Sequence, residues 1–427
     1  MKLKKRIFLF VVVFLFFAGK RVYAGLSSVH GFAELDYGIK LSDDNTKRDD
    51  FNLLEQRLQL KSIYRFRGDS YLSEKGAVVK LKGDFTVDEY FSGKTNFELR
   101  EFNLSLTPFD LMDVKLGSQI STWGTGDYLF INDMFPKDYV SFFAGRDDEY
   151  LKKPSYAIKT SFYPDITNID FIIIPYFTPN THAKGDRLSF FDSFQGGISG
   201  TNSDRHIVSV PFQLSNNEYA LRIYRNFGSN EAAFYYFQGF DKSPRSYKDE
   251  SARQLFYERL DVYGASIRGP IASGIGNAEV GYVYSREDSD GNNRLVANSM
   301  FKAMAGYTKD LGNDFSVGVQ YFIEEILDYD NYEDNLLAAD YRFDEFRHLL
   351  TNRITKLFKN QTVQLSLFTF FSPSDKDGYA RPSISYDISD QWKVTFGANL
   401  PWGEDDITEF GQMEKNKNVF TRVRYNF

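Results

Sequence analysis

Segments of about ten residues in which apolar and polar side chains alternate recur along this chain, and a period of two is the signature of strand. Leu54, Leu58, Leu60, Tyr64 and Phe66 share one parity, while Glu55, Arg57, Gln59, Lys61, Arg65 and Arg67 take the other. Phe315, Val317, Val319, Tyr321 and Ile323 oppose Asp314, Ser316, Gly318, Gln320 and Glu324. Trp392, Val394, Phe396, Ala398, Leu400 and Trp402 oppose Lys393, Thr395, Gly397 and Asn399. On a helix such residues would fall all round the circumference. Eighteen segments can be counted, sixteen being the alternative, with starts near 28, 52, 77, 96, 113, 155, 168, 217, 231, 257, 276, 299, 314, 347, 362, 378, 391 and 416.

The connections sort by length. Tight turns fall at Pro164-Asp165-Ile166, Gly228-Ser229-Asn230, Leu311-Gly312-Asn313, Lys359-Asn360-Gln361 and Asp390. Between them lie long polar connections at 124–154, 178–216, 241–256, 287–298, 327–346 and 403–415; long and short alternate from the fourth strand onward with a brief exception at 372–377, and the turn 67–76 after the second strand is longer than expected. Antiparallel strands that cross a membrane need short turns at one end and longer loops at the other. A soluble β-sandwich has no reason to sort its loops this way. Hydrocarbon offers no partner to an unpaired N–H or C=O, so the sheet must close. The expected fold is therefore an all-β, closed antiparallel transmembrane barrel over residues 25–427, with both termini periplasmic.

Closure also accounts for the composition. Mean hydropathy is only −0.41 and no run reaches the ~20 apolar residues of a spanning helix, because lipid meets every second strand residue. The 42 Phe and 28 Tyr are strand-favouring. Tyr and Trp near segment ends, such as Trp123, Tyr163, Trp392 and Trp402, suit interfacial girdles.

Residues 1–24 read as an export signal: Lys2, Lys4, Lys5 and Arg6, an apolar run from Ile7 to Ala18, then Val22-Tyr23-Ala24 with cleavage before Gly25. The segment holds six of the 51 basic residues, which leaves 45 against 58 acidic ones and a net charge of −13 on the mature chain. That balance argues against nucleic acid as a partner. The absence of Cys excludes disulfides, thiolate metal sites and cysteine nucleophiles.

The C-terminal stretch Asn418–Phe427, with Val423, Tyr425 and Phe427 at alternate positions, resembles the terminal assembly signal of Gram-negative outer-membrane barrels. The resemblance implies recognition by the barrel-assembly machinery and a setting of outer-membrane lipid and lipopolysaccharide. Trp123-Gly124-Thr125-Gly126-Asp127, followed by Asn132-Asp133-Met134-Phe135-Pro136-Lys137-Asp138, resembles a box of porin-like barrels. The architecture also resembles, more distantly, the alginate-export type of 18-stranded barrel. Monomer and homotrimer both stay open.

Catalytic patterns are absent from the sequence. The four His are far apart and form no H-E-x-x-H pair, and Gly196–Gly200 has the wrong spacing for a nucleophile elbow. The acidic runs at 287–292, 328–334 and 404–406 could take Ca²⁺, but none has EF-hand spacing. No cofactor or metal is expected.

Inward parity makes the wall more basic than acidic within an acidic chain. Arg57, Lys61, Arg65, Lys80, Lys82, Lys115 and Arg222 are the pore-lining candidates, the first five forming the densest patch. Such a strip favours anions in a pore, unless lumen acids neutralise it. Eighteen strands leave an aqueous channel unless loops fill it. The two longest loops can constrict it, cap it or plug it. Trp123, Asp127, Asp133, Phe135, Arg146 and Asp147 are the constriction candidates of the first. The expected function is a channel for passive passage of small hydrophilic solutes, with a bias to anions. An export channel for an anionic polymer, or a loop-plugged barrel serving as enzyme or adhesin, are the alternatives.

Overall fold

The computed structural model describes residues 22–25, 29–42, 46, 50–68, 76–88, 94–338 and 340–427. Residues 1–21 of the expected export signal lie outside them. Val22–Gly25, at the expected cleavage site, pairs antiparallel with Arg65–Gly68.

Eighteen long strands make the barrel: β1 His30–Lys40, β2 Phe51–Gly68, β3 Ala77–Asp88, β4 Lys94–Phe109, β5 Met112–Gln119 and β6 Ser155–Phe162. Next come β7 Asn168–Ile174, β8 Glu218–Phe227, β9 Asn230–Phe240, β10 Arg259–Ile271, β11 Gly274–Ser285 and β12 Met300–Asp310. The circuit ends with β13 Phe315–Ile326, β14 Phe346–Phe358, β15 Val363–Ser372, β16 Asp377–Asp387, β17 Trp392–Gly403 and β18 Asn418–Asn426. Each pairs antiparallel with the next, and β18 returns to β1 with Phe32 opposite Asn426 and Lys40 opposite Asn418. The sheet is closed, so its wall has no unpaired edge.

Burial runs opposite to that of a soluble protein. In β1, Glu34, Asp36 and Lys40 are buried, while Leu35, Tyr37 and Ile39 are exposed. The same inversion places Phe234, Ile267, Ile384 and Phe396 on the outside and Glu55, Arg57 and Asp84 within. An apolar outer band is the surface that hydrocarbon solvates. No helix among the described residues is long and apolar enough to span a membrane, and the strands do the crossing.

From β4 onward the connections alternate in length apart from 373–376, whereas 69–76 after β2 is longer than its rim would suggest. Most at the rim that carries both ends of the barrel are short, including the two-residue turn Ala272-Ser273. Both of its residues have positive φ, 46° and 62°, the geometry that matches strand twist in a tight hairpin. Trp392 meets Tyr425 at 4.9 Å on this rim. Trp123 departs from the girdle expected of it. It sits inside the barrel against Phe135, at 5.1 Å, and Tyr235, because the long loop that bears it turns inward.

A charge on the outer band tests this orientation. Phe234 is 67% exposed near the middle of β9. Phe234→Arg should cost about 2–4 kcal/mol in denaturant unfolding from lipid vesicles. On a water-exposed face the cost would stay within about 0.5 kcal/mol.

Candidate functional site

The loop 120–154 does not project from the rim. It crosses the lumen, and two kinds of contact hold it there. At one end Trp123, Met134 and Phe135 pack into a cluster with Ile172, Phe237, Leu260 and Val262 from the wall of β7, β9 and β10. At the other, Phe142 and Phe143 lie on a short helix, α1 Tyr139–Ala144, against Phe322, Phe368, Phe370 and Tyr379 of β13, β15 and β16. Asp138 caps α1, and Gly145 ends it at φ 92°. A Cβ on Gly145 would come within 2.5 Å of Phe420 on β18, so the loop passes too close to the wall for any other residue.

Carboxylates make the second set of contacts. Asp127 accepts from Arg353 of β14 at 2.8 Å. Asp148 accepts from Arg381 of β16 at 2.9 Å. Asp147 takes both Arg422, at 3.0 Å, and Arg424, at 3.1 Å, of β18. Glu149 accepts from Lys82 of β3 at 2.7 Å. In the reverse sense, Arg146 of the loop donates to Glu55 of β2 at 2.6 Å. Glu279 of β11 is in no ion pair among the described residues; it accepts from the Thr125 amide (2.6 Å) and hydroxyl (3.2 Å) and from the Asn132 amide (2.9 Å) and side chain (3.0 Å). Asp133 stays within the loop, taking the buried Lys137 ammonium at 2.9 Å and the Thr122 hydroxyl at 2.7 Å.

The wall cations expected to line a pore therefore divide into two groups. Arg57 is paired with Glu55 and with Asp84, at 2.8 Å, and lies 3.9 Å over the ring of Tyr150. Lys80 is paired with Glu101 at 2.7 Å, and Arg222 with Glu231 at 2.6 Å. Lys61, Arg65 and Lys115 have no ionic partner among the described residues. Lys61 sits in register with Lys82, and Lys115 with Lys159, so like charges neighbour each other on β2–β3 and β5–β6. Lys61 and Arg65 lie on β2, two strands from Arg422 across the closing seam, and Lys115 lies on β5.

Several residues that hold the loop were not foreseen. A bulge in β4, where Lys82 pairs with Glu101 and Gly83 with Leu99, turns both Arg100 and Glu101 inward. Arg100 donates to the carbonyls of Glu149 and Lys152. Strict alternation hides such a residue. Phe368 and Phe370 share the parity of Gln364 and Ser366, so their inward direction was legible; what they pack against was not.

The second long loop, 175–217, lies over the long-loop rim. Arg187 reaches the Asn52 carbonyl and Asp88 at the ends of β2 and β3. His182 stacks on Tyr139 at 5.4 Å and shares a 2.9 Å hydrogen bond with the Ser243 hydroxyl. Burial, and the nearby Arg245 cation, push its imidazole down to about 4. Among the described residues no group of His, Asp or Glu is arranged to hold a metal ion. In the 287–292 run, Asp288 instead accepts from the Asn292 and Asn293 amides of its own loop.

The architecture is that of outer-membrane porin barrels. OccAB3 of Acinetobacter baumannii is similar at a TM-score of 0.53 and 8% identity, over 93% of this chain and 98% of that one. OccK11 (OpdR) of Pseudomonas aeruginosa is similar at 0.51 and 9%, over 93% and 95%. At these identities the likeness is one of fold. By sequence, no family model and no curated protein matches the chain.

Two outcomes follow from the loop contacts. Glu279→Ala removes a charged acceptor, which is worth about 2 kcal/mol. Amide exchange at Thr125 and Asn132 should then quicken roughly thirtyfold while the strands keep their protection; unchanged exchange would contradict the tether. The His182 imidazole is depressed, so docking of the loop is fully favoured above the ordinary histidine range. It should weaken as pH falls from about 6.5 and be lost below about 4. Hydrogen exchange over 178–190 reads this, and His182→Phe should abolish the pH dependence.

Proposed function

We propose that the chain forms an outer-membrane channel for passive passage of small hydrophilic solutes, biased toward anions. The observation that carries the bias is the unequal use of the wall's cations. The inserted loop places its carboxylates on Arg353, Arg381, Arg422 and Arg424 and, on β3, on Lys82. Lys61, Arg65 and Lys115 are in no ion pair within 4 Å among the described residues, although Glu101 acts on Lys115 from farther off. Unpaired ammonium and guanidinium groups facing an aqueous lumen raise the local concentration of anions and lower that of cations.

The rest of the reading supports a membrane channel. The long-loop rim faces the cell exterior and the short-turn rim the periplasm, the usual arrangement for such barrels. Val423 and Tyr425 lie on the outer parity of β18, and Phe427 pairs with Gly31 at the closing seam. An assembly machinery that recognises the last strand would find them accessible before closure.

Purified protein in a planar bilayer under a salt gradient tests the proposal. Discrete conductance steps with a reversal potential on the anion side are expected. Lys61→Glu with Lys115→Glu should move that potential toward cations. A unit charge at ~4 Å in water is worth about 1 kcal/mol, so reversing a site, a change of two charges, is worth about 2 kcal/mol or roughly thirtyfold in local anion occupancy. No conductance steps would overturn the channel and favour the loop-plugged barrel. A cation-selective wild type would overturn the bias.

A further inference from the structure

The most exposed large apolar side chain among the described residues is not on the barrel wall. It is Leu214, 81% exposed, in the loop between β7 and β8. It lies in the run His206–Ser215, His-Ile-Val-Ser-Val-Pro-Phe-Gln-Leu-Ser, in which Ile207, Val208 and Phe212 are also exposed. Connecting loops on a water-facing surface are polar, and a contiguous apolar stretch on one marks a partner.

The run is fixed outside the perimeter of the barrel. Phe212 stacks on Tyr176 at 4.5 Å, and Tyr176 meets Tyr156 at 5.9 Å. Tyr156 stands at the loop end of β6 on the parity of Ile158 and Phe162, the outward face. At its other end the run is held by Arg259, which donates to the Ser215 carbonyl at 3.2 Å and to the side chain of Asn216. Arg259 lies 4.7 Å over Phe240, and the two share the outward parity of Tyr263 and Phe234. The Asn216 side chain donates to the Pro211 carbonyl, closing the stretch on itself. His206 and Ile207 pair with Gln254 and Leu255. Its backbone is thus positioned against the outer surface above β6–β10, and its apolar side chains continue the lipid-facing band upward.

We propose that residues 206–215 form an interfacial anchor that buries Ile207, Phe212 and Leu214 in the lipid leaflet at the long-loop rim. Tyr156, edge-on to Tyr176, and Phe212, stacked on it, then form a belt at the depth where aromatic rings favour the interface. Arg259, beside the belt, stands where an anionic headgroup lies, with its stem on apolar surface. The leaflet is the occupant because the patch is continuous with the face that hydrocarbon already covers. The inference requires an embedded barrel but not any particular solute, so it stands or falls apart from the channel reading.

The chain has no Cys, so a single label can be placed cleanly. Leu214→Cys carries a bimane in vesicles of phosphatidylcholine and phosphatidylglycerol, with Phe396→Cys as the lipid-facing reference and Ser289→Cys as the solvated one. Folding of each variant is checked by heat-modifiable gel mobility. Brominated acyl chains should quench the Leu214 label by at least about half as much as the Phe396 label, and aqueous iodide should quench it several-fold less than the Ser289 label. Quenching by iodide but not by brominated lipid would overturn the anchor in favour of a solvated loop. Protection from both quenchers would overturn it in favour of cover by another protein surface, a second copy included.

Discussion

Every backbone N–H and C=O that crosses hydrocarbon must find its partner inside the protein, and the rest of this structure depends on that requirement. The eighteen strands meet it only because β18 pairs with β1. Closure then decides where side chains go. One parity faces a solvent that rejects charge, so nearly all the strand charge is driven to the other. The buried Glu34, Asp36, Glu55 and Arg57 follow from that sorting. They are lumen groups, and a lumen crowded with charge is what an inserted loop needs in order to be held.

The loop 120–154 uses this wall in two ways. Its aromatics seat against Phe368, Phe370 and Tyr379 on one side and Phe237 and Leu260 on the other. Its acids select the cations of β14, β16 and β18. Asp127, Asp147 and Asp148 stay partly solvated, so each pair alone contributes modestly. The contacts therefore act together to keep the loop in one place. The loop touches β2, β3 and β4 as well, through Glu55, Arg57, Lys82 and Arg100, while Lys61, Arg65 and Lys115 stay outside its ion pairs among the described residues.

Much of the fold was legible in the sequence because the pleat repeats every two residues and leaves its mark wherever one face meets lipid. The eighteen starts read from alternation fall within a few residues of the strands. What alternation omits is local irregularity and distance. The bulge at Arg100 breaks the period, so its inward side chain is invisible to a parity count. The pairing of Asp127 with Arg353 joins residues more than two hundred positions apart, and no local pattern announces it. Trp123 misled for the same reason: near the end of a strand it reads as a girdle residue, and only the inward turn of its loop places it against Phe135. Arg57 belonged to the densest basic patch by sequence, yet Glu55 and Asp84 neutralise it.

The central claim is that the inserted loop leaves a solute path along the β2–β5 side of the lumen, lined by unpaired cations. Ser105 faces that side, in register with Lys115. With no native Cys in the chain, Ser105→Cys reports directly on access to it by methanethiosulfonate reagents. In sealed vesicles, reagent added from the long-loop side should modify the thiol, and the negatively charged reagent should react faster than the positively charged one of similar size. Failure of both reagents to reach it from that side, or faster reaction of the cationic one, would contradict the account.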